Sequence, residues 1–353
     1  MKKIKLGIVF GGRSNEHEVS LKSAKQVIDA INKERYKISP IAITKKGVWL
    51  FEDSGLKYLD FNLAKAQKEG GVEVDADFLS EKNDDVFELL KKLDLILPIL
   101  HGPYGEDGRL QGMLDMLSVP YVFSGALASA LAMNKQKTKI IAKKCGLKVA
   151  KEIIIEKNKK YKPDKIIEKI NFPIVIKPIE LGSSVGIDIV KNKQELEQGI
   201  ERALSYGEKV MLEQYIKGRE LTVGVMGEKT PKALPVIEII PKLSNFFDYK
   251  AKYQVGGSQE ICPADIPEEI RKKVQKNAVK IFKALDCRDL ARADFIWKND
   301  SKEIYFLEIN TIPGMTGTSL APQAAKASGM DFSQFLDKLI IGALKRKNKN
   351  FYA

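Results

Sequence analysis

The chain is 353 residues long, which by length alone allows two or three domains with cores of their own. Hydrophobic residues make up 44% and charged residues 30%, a balance that argues against a disordered, collagen-like or fibrous chain. The net charge of +13 fits nucleic acid, a membrane surface or an anionic small substrate, and does not choose among them.

In chain order, MKKIKLGIVF starts basic, but Lys5 interrupts a short apolar run that leads into GGRSNEHE without a small-residue cleavage site. It therefore reads as a strand, Leu6 to Phe10, closed by Gly11-Gly12. Val19, Ala24, Val27, Ile28 and Ile31 then recur at helical spacing, with Ser14 placed as N-cap. The runs Ile38 to Ile43 and Leu95 to Leu100 repeat the buried-strand pattern, and the second enters the loop His101-Gly-Pro-Tyr-Gly-Glu-Asp-Gly108 before a helix at 109–117. An open, mostly parallel sheet follows, with both glycine loops at the carboxyl ends of strands, where such sheets bind ligands. Residues 52–92, polar and mixed in charge, read as a peripheral insertion or hairpin without a motif.

A helical stretch follows Gly125 to about Gly146, and the Lys-rich segment 156–165 has linker composition, so a second unit is expected to begin there. It holds a helix near 163–170, a strand at 174–177, the loop 180–186, a helix near 193–205 and a strand at 209–213, a small α+β module. From Arg219 the pattern turns strand-rich, with an aromatic and lysine-bearing stretch at 242–258, a long helix at 267–285, strands at 290–297 and 303–309, and helices after Ala321. The expected divisions are 1–125, 126–217 and 218–353.

Cys145, Cys262 and Cys287 are odd in number and lack a CxxC pair, which fits a reducing, cytoplasmic compartment. No run approaches the ~20 apolar residues of a membrane helix. The two histidines, His17 and His101, are too few for a His-based zinc site.

Lys177 ends a buried strand just before Glu180-Leu-Gly-Ser-Ser-Val-Gly186, whose backbone N–H groups suit phosphate oxygens; the alternative is a Gly/Ser turn beside a solvated lysine. Lys135 alone reads as a surface lysine. Arg292-Ala-Asp294 on one strand and Glu308-Ile-Asn310 on the next put Arg292 and Asp294 in one row and Glu308 and Asn310 in a facing row. Two carboxylates and an amide oxygen, without His or Cys, suit Mg²⁺, or else Arg292 forms a cross-strand salt bridge. The segment 213–220 is either an edge that takes adenine and ribose, through Glu220, or a charged hinge. Glu16 and Glu18 place acids at a helix N-terminus, where they favour the helix dipole whatever else they do.

Taken together and in this order, these motifs resemble the ATP-grasp ligases, specifically the D-alanine–D-alanine ligase family, over residues 4–345. The most specific stretches are Gly11-Gly12 with Glu16-His-Glu-Val-Ser20, His101-Gly102 with Gly105-Glu-Asp-Gly108, Lys177-Pro178 with Gly182-Ser-Ser-Val-Gly186, Glu308-Ile-Asn310, and Pro313-Gly-Met-Thr316 with Ser319-Leu320. Glu180, Leu181 and Ile312 depart from the family pattern without touching a polar role.

The resemblance implies an ATP-grasp fold, in which an N-terminal open parallel sheet precedes two α+β subdomains that sandwich ATP. It implies that ATP phosphorylates one D-alanine and that the amine of a second attacks the acyl phosphate. Carried over residue by residue, Lys135 and Lys177 hold phosphates, Glu213, Ile216 and Glu220 meet adenine and ribose, and Asp294, Glu308 and Asn310 hold two Mg²⁺ or Mn²⁺. Glu16 takes the first ammonium, with Ser183 and Tyr253 as its partners. Arg292 and Gly314 N–H resemble oxyanion and phosphate donors. Ser319, Leu320 and Lys252 resemble ligands of the second substrate, and His101 a substrate contact. A lid at 242–258 and a cytoplasmic homodimer that binds neither nucleic acid nor membrane are also implied. The rivals are a D-alanine–D-lactate ligase, disfavoured by Tyr253, a nucleotide-binding protein that has lost catalysis, and a nucleic-acid binder.

Overall fold

The computed structural model describes residues 2–69, 85–182, 185–242, 257–299 and 301–347. The first part contains β1 (Ile4–Gly11), α1 (His17–Ala30), β2 (Tyr36–Ile43), β3 (Trp49–Phe51), α2 (Glu52–Glu69), α3 (Val86–Lys91), β4 (Leu95–Ile99) and α4 (Arg109–Met116). Its sheet runs β3-β2-β1-β4, parallel from β2 to β4 with β3 antiparallel at the edge. From Leu6 onward β1 is apolar and buried because both faces are covered there. Leu6, Ile8 and Phe10 pack with Leu21, Ala24 and Val27 of α1 on one face, and Val9 packs with Leu110 and Leu114 of α4 on the other.

Residues 52–69 correct the expectation of a peripheral hairpin. They form α2, which packs on β2, β3 and α1 and whose Tyr58 and Leu59 are fully buried in the first core. Gly55 permits this close approach, since a Cβ there would lie 2.8 Å from the carbonyl oxygens of both Leu50 and Pro40. The Tyr58 hydroxyl donates to His17 Nε2 at 3.2 Å, and His17 Nδ1 donates to the Gly12 carbonyl at 2.7 Å, so the helix braces the glycine turn.

Next come α5 (Ala126–Met133), α6 (Lys135–Lys144), β5 (Glu152–Glu156), α7 (Pro163–Lys169), β6 (Ile174–Pro178), β7 (Asp188–Val190), α8 (Lys193–Leu204) and β8 (Lys209–Gln214). The sheet β5-β8-β6-β7 is antiparallel throughout. Because β5 pairs with β8, the 156–165 segment is a connection inside this unit and not its start. Ala128 and Ala132 of α5 and Ala142 of α6 are buried in the core of the sheet that follows.

That sheet is built from β9 (Gly218–Gly227), β10 (Lys232–Ala233), β11 (Ile237–Pro241), β12 (Ser258–Ile261), β13 (Asp289–Lys298) and β14 (Ile304–Asn310) in the order β12-β11-β9-β13-β14, with β10 on β9. Helix α9 (Glu268–Ala284) lies between β12 and β13 in the chain, and α10 (Leu320–Ala327) and α11 (Phe332–Lys347) close it. Alternation sorts the faces: Val223, Val225, Ala291, Ala293 and Phe295 pack with Val274, Ala278 and Ile281 of α9. On the opposite face Met226 and Leu290 join the first core through α10 and α11, whose Ala324, Phe335 and Leu339 pack with Leu6 and Ile8.

The Arg346 guanidinium makes a two-point ion pair with Asp289, reaching Oδ2 at 2.7 Å, and also donates to the Tyr121 carbonyl at 3.2 Å. Asp289 accepts from the Phe123 N–H at 2.8 Å as well, so one buried pair ties α11, β13 and the 121–123 segment together. Removing one partner of such a pair leaves the other charge buried and alone. Arg346→Met is expected to lower the unfolding free energy by about 3–5 kcal/mol in denaturant titrations.

Candidate active site

The site starts at the glycine turn after β1. Gly11 and Gly12 take φ of +88° and +92°, and a Cβ on Gly11 would lie 2.3 Å from the Ile43 carbonyl oxygen. Ser14 is not the helix cap that its position suggested. Its hydroxyl donates to the His101 carbonyl at 2.6 Å and accepts from the Glu16 N–H at 3.2 Å, joining the two glycine loops, while Glu16 itself occupies the cap position. Glu16 is thereby delivered, 8% exposed, into a gap between Gly102 and Gly182. A Cβ on either glycine would approach its Oε2 to 2.6 or 2.9 Å, so the gap holds only glycine comfortably. Glu18, in the first turn of α1, pairs with Lys45.

His101 Nδ1 lies 3.2 Å from the Ile312 carbonyl and carries its proton there, leaving Nε2 a buried acceptor without a hydrogen-bond partner among the described residues. Burial pushes this imidazole below its ordinary value, against the pull of the Glu16 charge, so the neutral form is favoured. Glu106 was legible only as part of the second glycine loop, yet it accepts from the Gly102 N–H at 2.8 Å and from the Ile312 N–H at 3.1 Å. It clamps the loop after β4 onto the segment after β14. Burial, with the Glu16 charge beside it, pushes Glu106 up to about 8.

Across β13 and β14, Arg292 stands opposite Asn310 and Asp294 opposite Glu308, the two rows expected from the spacing. Arg292 donates to both Asp294 oxygens, at 3.0 and 2.8 Å, so a salt bridge does form, along one strand rather than across two. Thr222 of β9 also donates to Asp294, and Asn310 Nδ2 does so at 3.2 Å, which keeps the Asn310 carbonyl oxygen as an acceptor. Glu308 is partly exposed, with Lys135 Nζ at 3.9 Å.

A cavity of about 400 Å³ unites these groups. Glu16, His101 and Glu106 line it from the N-terminal side, and Arg292, Glu308, Asn310, Gly314, Ser319 and Leu320 from the C-terminal side. Ser319 stands at the N-cap position of α10 without a side-chain capping bond, its Oγ accepting instead from the Thr316 N–H at 3.1 Å, and Gln26 of α1 accepts from the Gly317 N–H at 2.6 Å, which pins this loop. A second cavity of about 30 Å³ adjoins Lys135, Leu181, Gly182, Glu308 and Asn310. The Lys135 ammonium donates to the Leu181 carbonyl and Asn134 Nδ2 to Glu180 at 2.7 Å, so the start of α6 holds the 180–182 loop.

Behind that loop, Lys177 and Lys139 bind the two oxygens of one carboxylate, Lys177 at Glu213 Oε2 and Lys139 at Oε1. Burial pushes Lys177 down to about 8, with Lys135 adding to the shift and Glu308 opposing it. Lys139 escaped the sequence analysis, although it lies four residues after Lys135 and therefore on the same helical face. Ile216 sits in the connection from β8 to β9, and Glu220 lies on β9 opposite Ile239 and Ile296; both are half-buried. Ser183, Lys252, Tyr253 and most of the expected lid at 242–258 lie outside the described residues.

Two family models match, described as D-ala D-ala ligase N-terminus over residues 5–124 and D-ala D-ala ligase C-terminus over residues 141–341. A D-alanine–D-alanine ligase of Natranaerobius thermophilus is 41% identical over 357 residues, covering 99% of this chain and 97% of the relative. A D-alanine–D-alanine ligase B of Clostridium tetani is also 41% identical, covering 98% of this chain and 95% of that one. Among solved structures, the VanG D-Ala:D-Ser ligase of Enterococcus faecalis superposes with a TM-score of 0.80 at 36% identity, covering 96% of this chain and 99% of that one. The Bacillus anthracis D-alanine–D-alanine ligase complexed with ATP superposes at 0.76 and 31% identity, covering 98% and 99%. The expected ATP-grasp architecture thus holds, and the chain belongs to the D-alanine–D-alanine ligase family.

Proposed function

We propose that this protein joins two D-alanines through an acyl phosphate made with ATP, giving D-alanyl-D-alanine for peptidoglycan precursors. The observation that carries the reading is the meeting in one cavity of Glu16 from the first glycine loop, the Arg292 and Asn310 pair, and the helix N-terminus at Ser319. The names of the relatives support it.

In this reading Glu16 pairs with the ammonium of the first D-alanine, whose carboxylate attacks the γ-phosphorus of ATP and expels ADP. Lys135 and Lys177 hold phosphates, Glu213 and Ile216 border adenine, and Glu220 meets the ribose. The Leu320 N–H at the start of α10 takes the carboxylate of the second D-alanine, with Lys252 beside it and Ser319 contributing its hydroxyl, since the Ser319 N–H is given to the Thr316 carbonyl at 2.9 Å. His101 Nε2 accepts from a substrate N–H. When the second amine attacks the acyl carbonyl, the developing oxyanion is met by Arg292 and the Gly314 N–H, and phosphate leaves. Ser183 and Tyr253 complete the Glu16 cluster, and the 242–258 stretch excludes water from the acyl phosphate.

Asp294, Glu308 and the Asn310 carbonyl oxygen are hard donors without His or Cys, a set that fits Mg²⁺ or Mn²⁺. Among the described residues no group of three or more His, Cys, Asp and Glu gathers, so the amide oxygen is needed in that set. Two such ions, when bound, supply neutralisation of phosphate charge. No helix among the described residues is long and apolar enough to cross a membrane.

The test is to incubate purified protein with ATP, Mg²⁺ and alanine of either hand, offering D-serine and D-lactate as alternative acceptors, and to measure phosphate and product mass. One phosphate per D-alanyl-D-alanine is expected; faster turnover of L-alanine than of D-alanine overturns the reading. Gly102→Ala would push against the Glu16 carboxylate from a φ of +71°. It is expected to lower kcat/KM for D-alanine by about 100-fold, the scale of an ångström-sized misplacement. Lys177 loses its charge as pH rises through about 8. Because kcat/KM reports the free enzyme, its value for ATP should fall above that pH, and Lys177→Arg, charged throughout, should remove this limb of the profile.

A further inference from the structure

Lys139 takes no part in the mechanism above, yet it is fully buried on α6 with its ammonium on Glu213 Oε1. Lys177 occupies the other oxygen of the same carboxylate. One carboxylate needs one cation for neutrality, and here it has two. Of the other nearby acids, Glu152 gives one oxygen to Lys143 at 2.8 Å and acts on Lys139 only through its charge, and Glu308 lies near Lys135. Burial and the adjacent Lys177 charge push Lys139 well below its ordinary value, with Glu152 and Glu308 opposing, which suits a surplus cation in the nucleotide-free site.

The surplus has a use once a triphosphate arrives. Lys177 cannot serve a phosphate oxygen at full strength while Glu213 holds it, and leaving would strand a buried carboxylate. We propose that Lys139 is the relieving counter-ion of Glu213: when ATP enters, Lys177 turns to the phosphates and Lys139 alone neutralises Glu213, so no buried charge is left unpaired. Lys139 is thus a positioning residue for the triphosphate that acts through Glu213 and Lys177 and touches no substrate. The assignment rests on Lys177 being a phosphate ligand, as read above.

The readout is the ratio of ADP affinity to adenosine affinity, by calorimetry on the whole protein. Lys139→Met, which keeps the length and removes the charge, is expected to lower that ratio about tenfold, the scale of one weakened charged hydrogen bond, and to leave KM for D-alanine at saturating ATP unchanged. Lys139→Arg should restore the ratio. The double variant Lys139→Met with Glu213→Gln removes the carboxylate that would be left alone when Lys177 turns to the phosphates; any cost of Glu213→Gln at adenine falls on ADP and adenosine alike, so the ratio should return to the wild-type level. Equal loss of ADP and adenosine binding in Lys139→Met would make the residue merely structural and overturn the proposal, as would a double variant no better than the single one. Lys177→Met separates the two readings: an unchanged ratio there removes Lys177 from the phosphates and the proposal with it, whereas a lowered ratio there with an unchanged one in Lys139→Met overturns the proposal alone.

Discussion

A slip of one residue between β13 and β14 would turn Arg292 and Asp294 into the core under α9 and bring Ala293 to the cleft. The register that prevents this is held from both sides. Ala291, Ala293 and Phe295 must meet the apolar side of α9, and β9 adds a long antiparallel pairing from Asp289 to Lys298 on the other edge of β13. The cleft therefore inherits its polar rows from the packing of the opposite face. Thr222 of β9 is part of the same logic, since it stands opposite Asp294 and donates to it.

Charge is the second organising constraint. Lys135, Lys139 and Lys177 are all nearly buried, and each meets an acceptor that the fold brings to it: Leu181 and Glu308 for Lys135, and Glu213 for the other two. Buried cations persist only with such partners. Part of the chain's basic excess thus stands inside the protein, facing the place proposed for an anionic nucleotide, and not on a surface suited to nucleic acid.

The cavity is a joint product of segments some two hundred residues apart. Glu106 and His101 grip the backbone of Ile312 through its N–H and its carbonyl, and Gln26 holds the N–H of Gly317. Helix α11 reinforces this by packing its apolar face against the N-terminal sheet, and the Arg346 and Asp289 pair locks the seam. The substrate loops are therefore clamped between two sheets, and the distance from Glu16 to the Arg292 row is set by tertiary contacts, not by either sheet alone.

Local patterns sufficed for the elements whose neighbours in the chain decide them. The apolar runs of β1, β2 and β4, the glycine turns after β1 and β4, and the i, i+2 rows of β13 and β14 each follow from a period or a turn residue that the sequence carries openly. The motifs that mark the family were equally legible, because loops that approach a ligand must spell out their glycines and polar groups in order. What stayed hidden depends on partners far away in the chain. The helix at 52–69 looked peripheral because its buried Tyr58 and Leu59 stand among charges, and only its packing on β2, β3 and α1 explains them. Ser14 read as a helix cap, whereas His101, 87 residues away, claims its hydroxyl. Lys139 read as nothing, because a lysine's burial depends on finding a carboxylate, and Glu213 reaches it only after the sheet of β5 to β8 has formed. Sequence determined which groups were present and on which local face. Tertiary structure decided which charges share a partner, because ion pairing in a dry interior depends on distance in space alone.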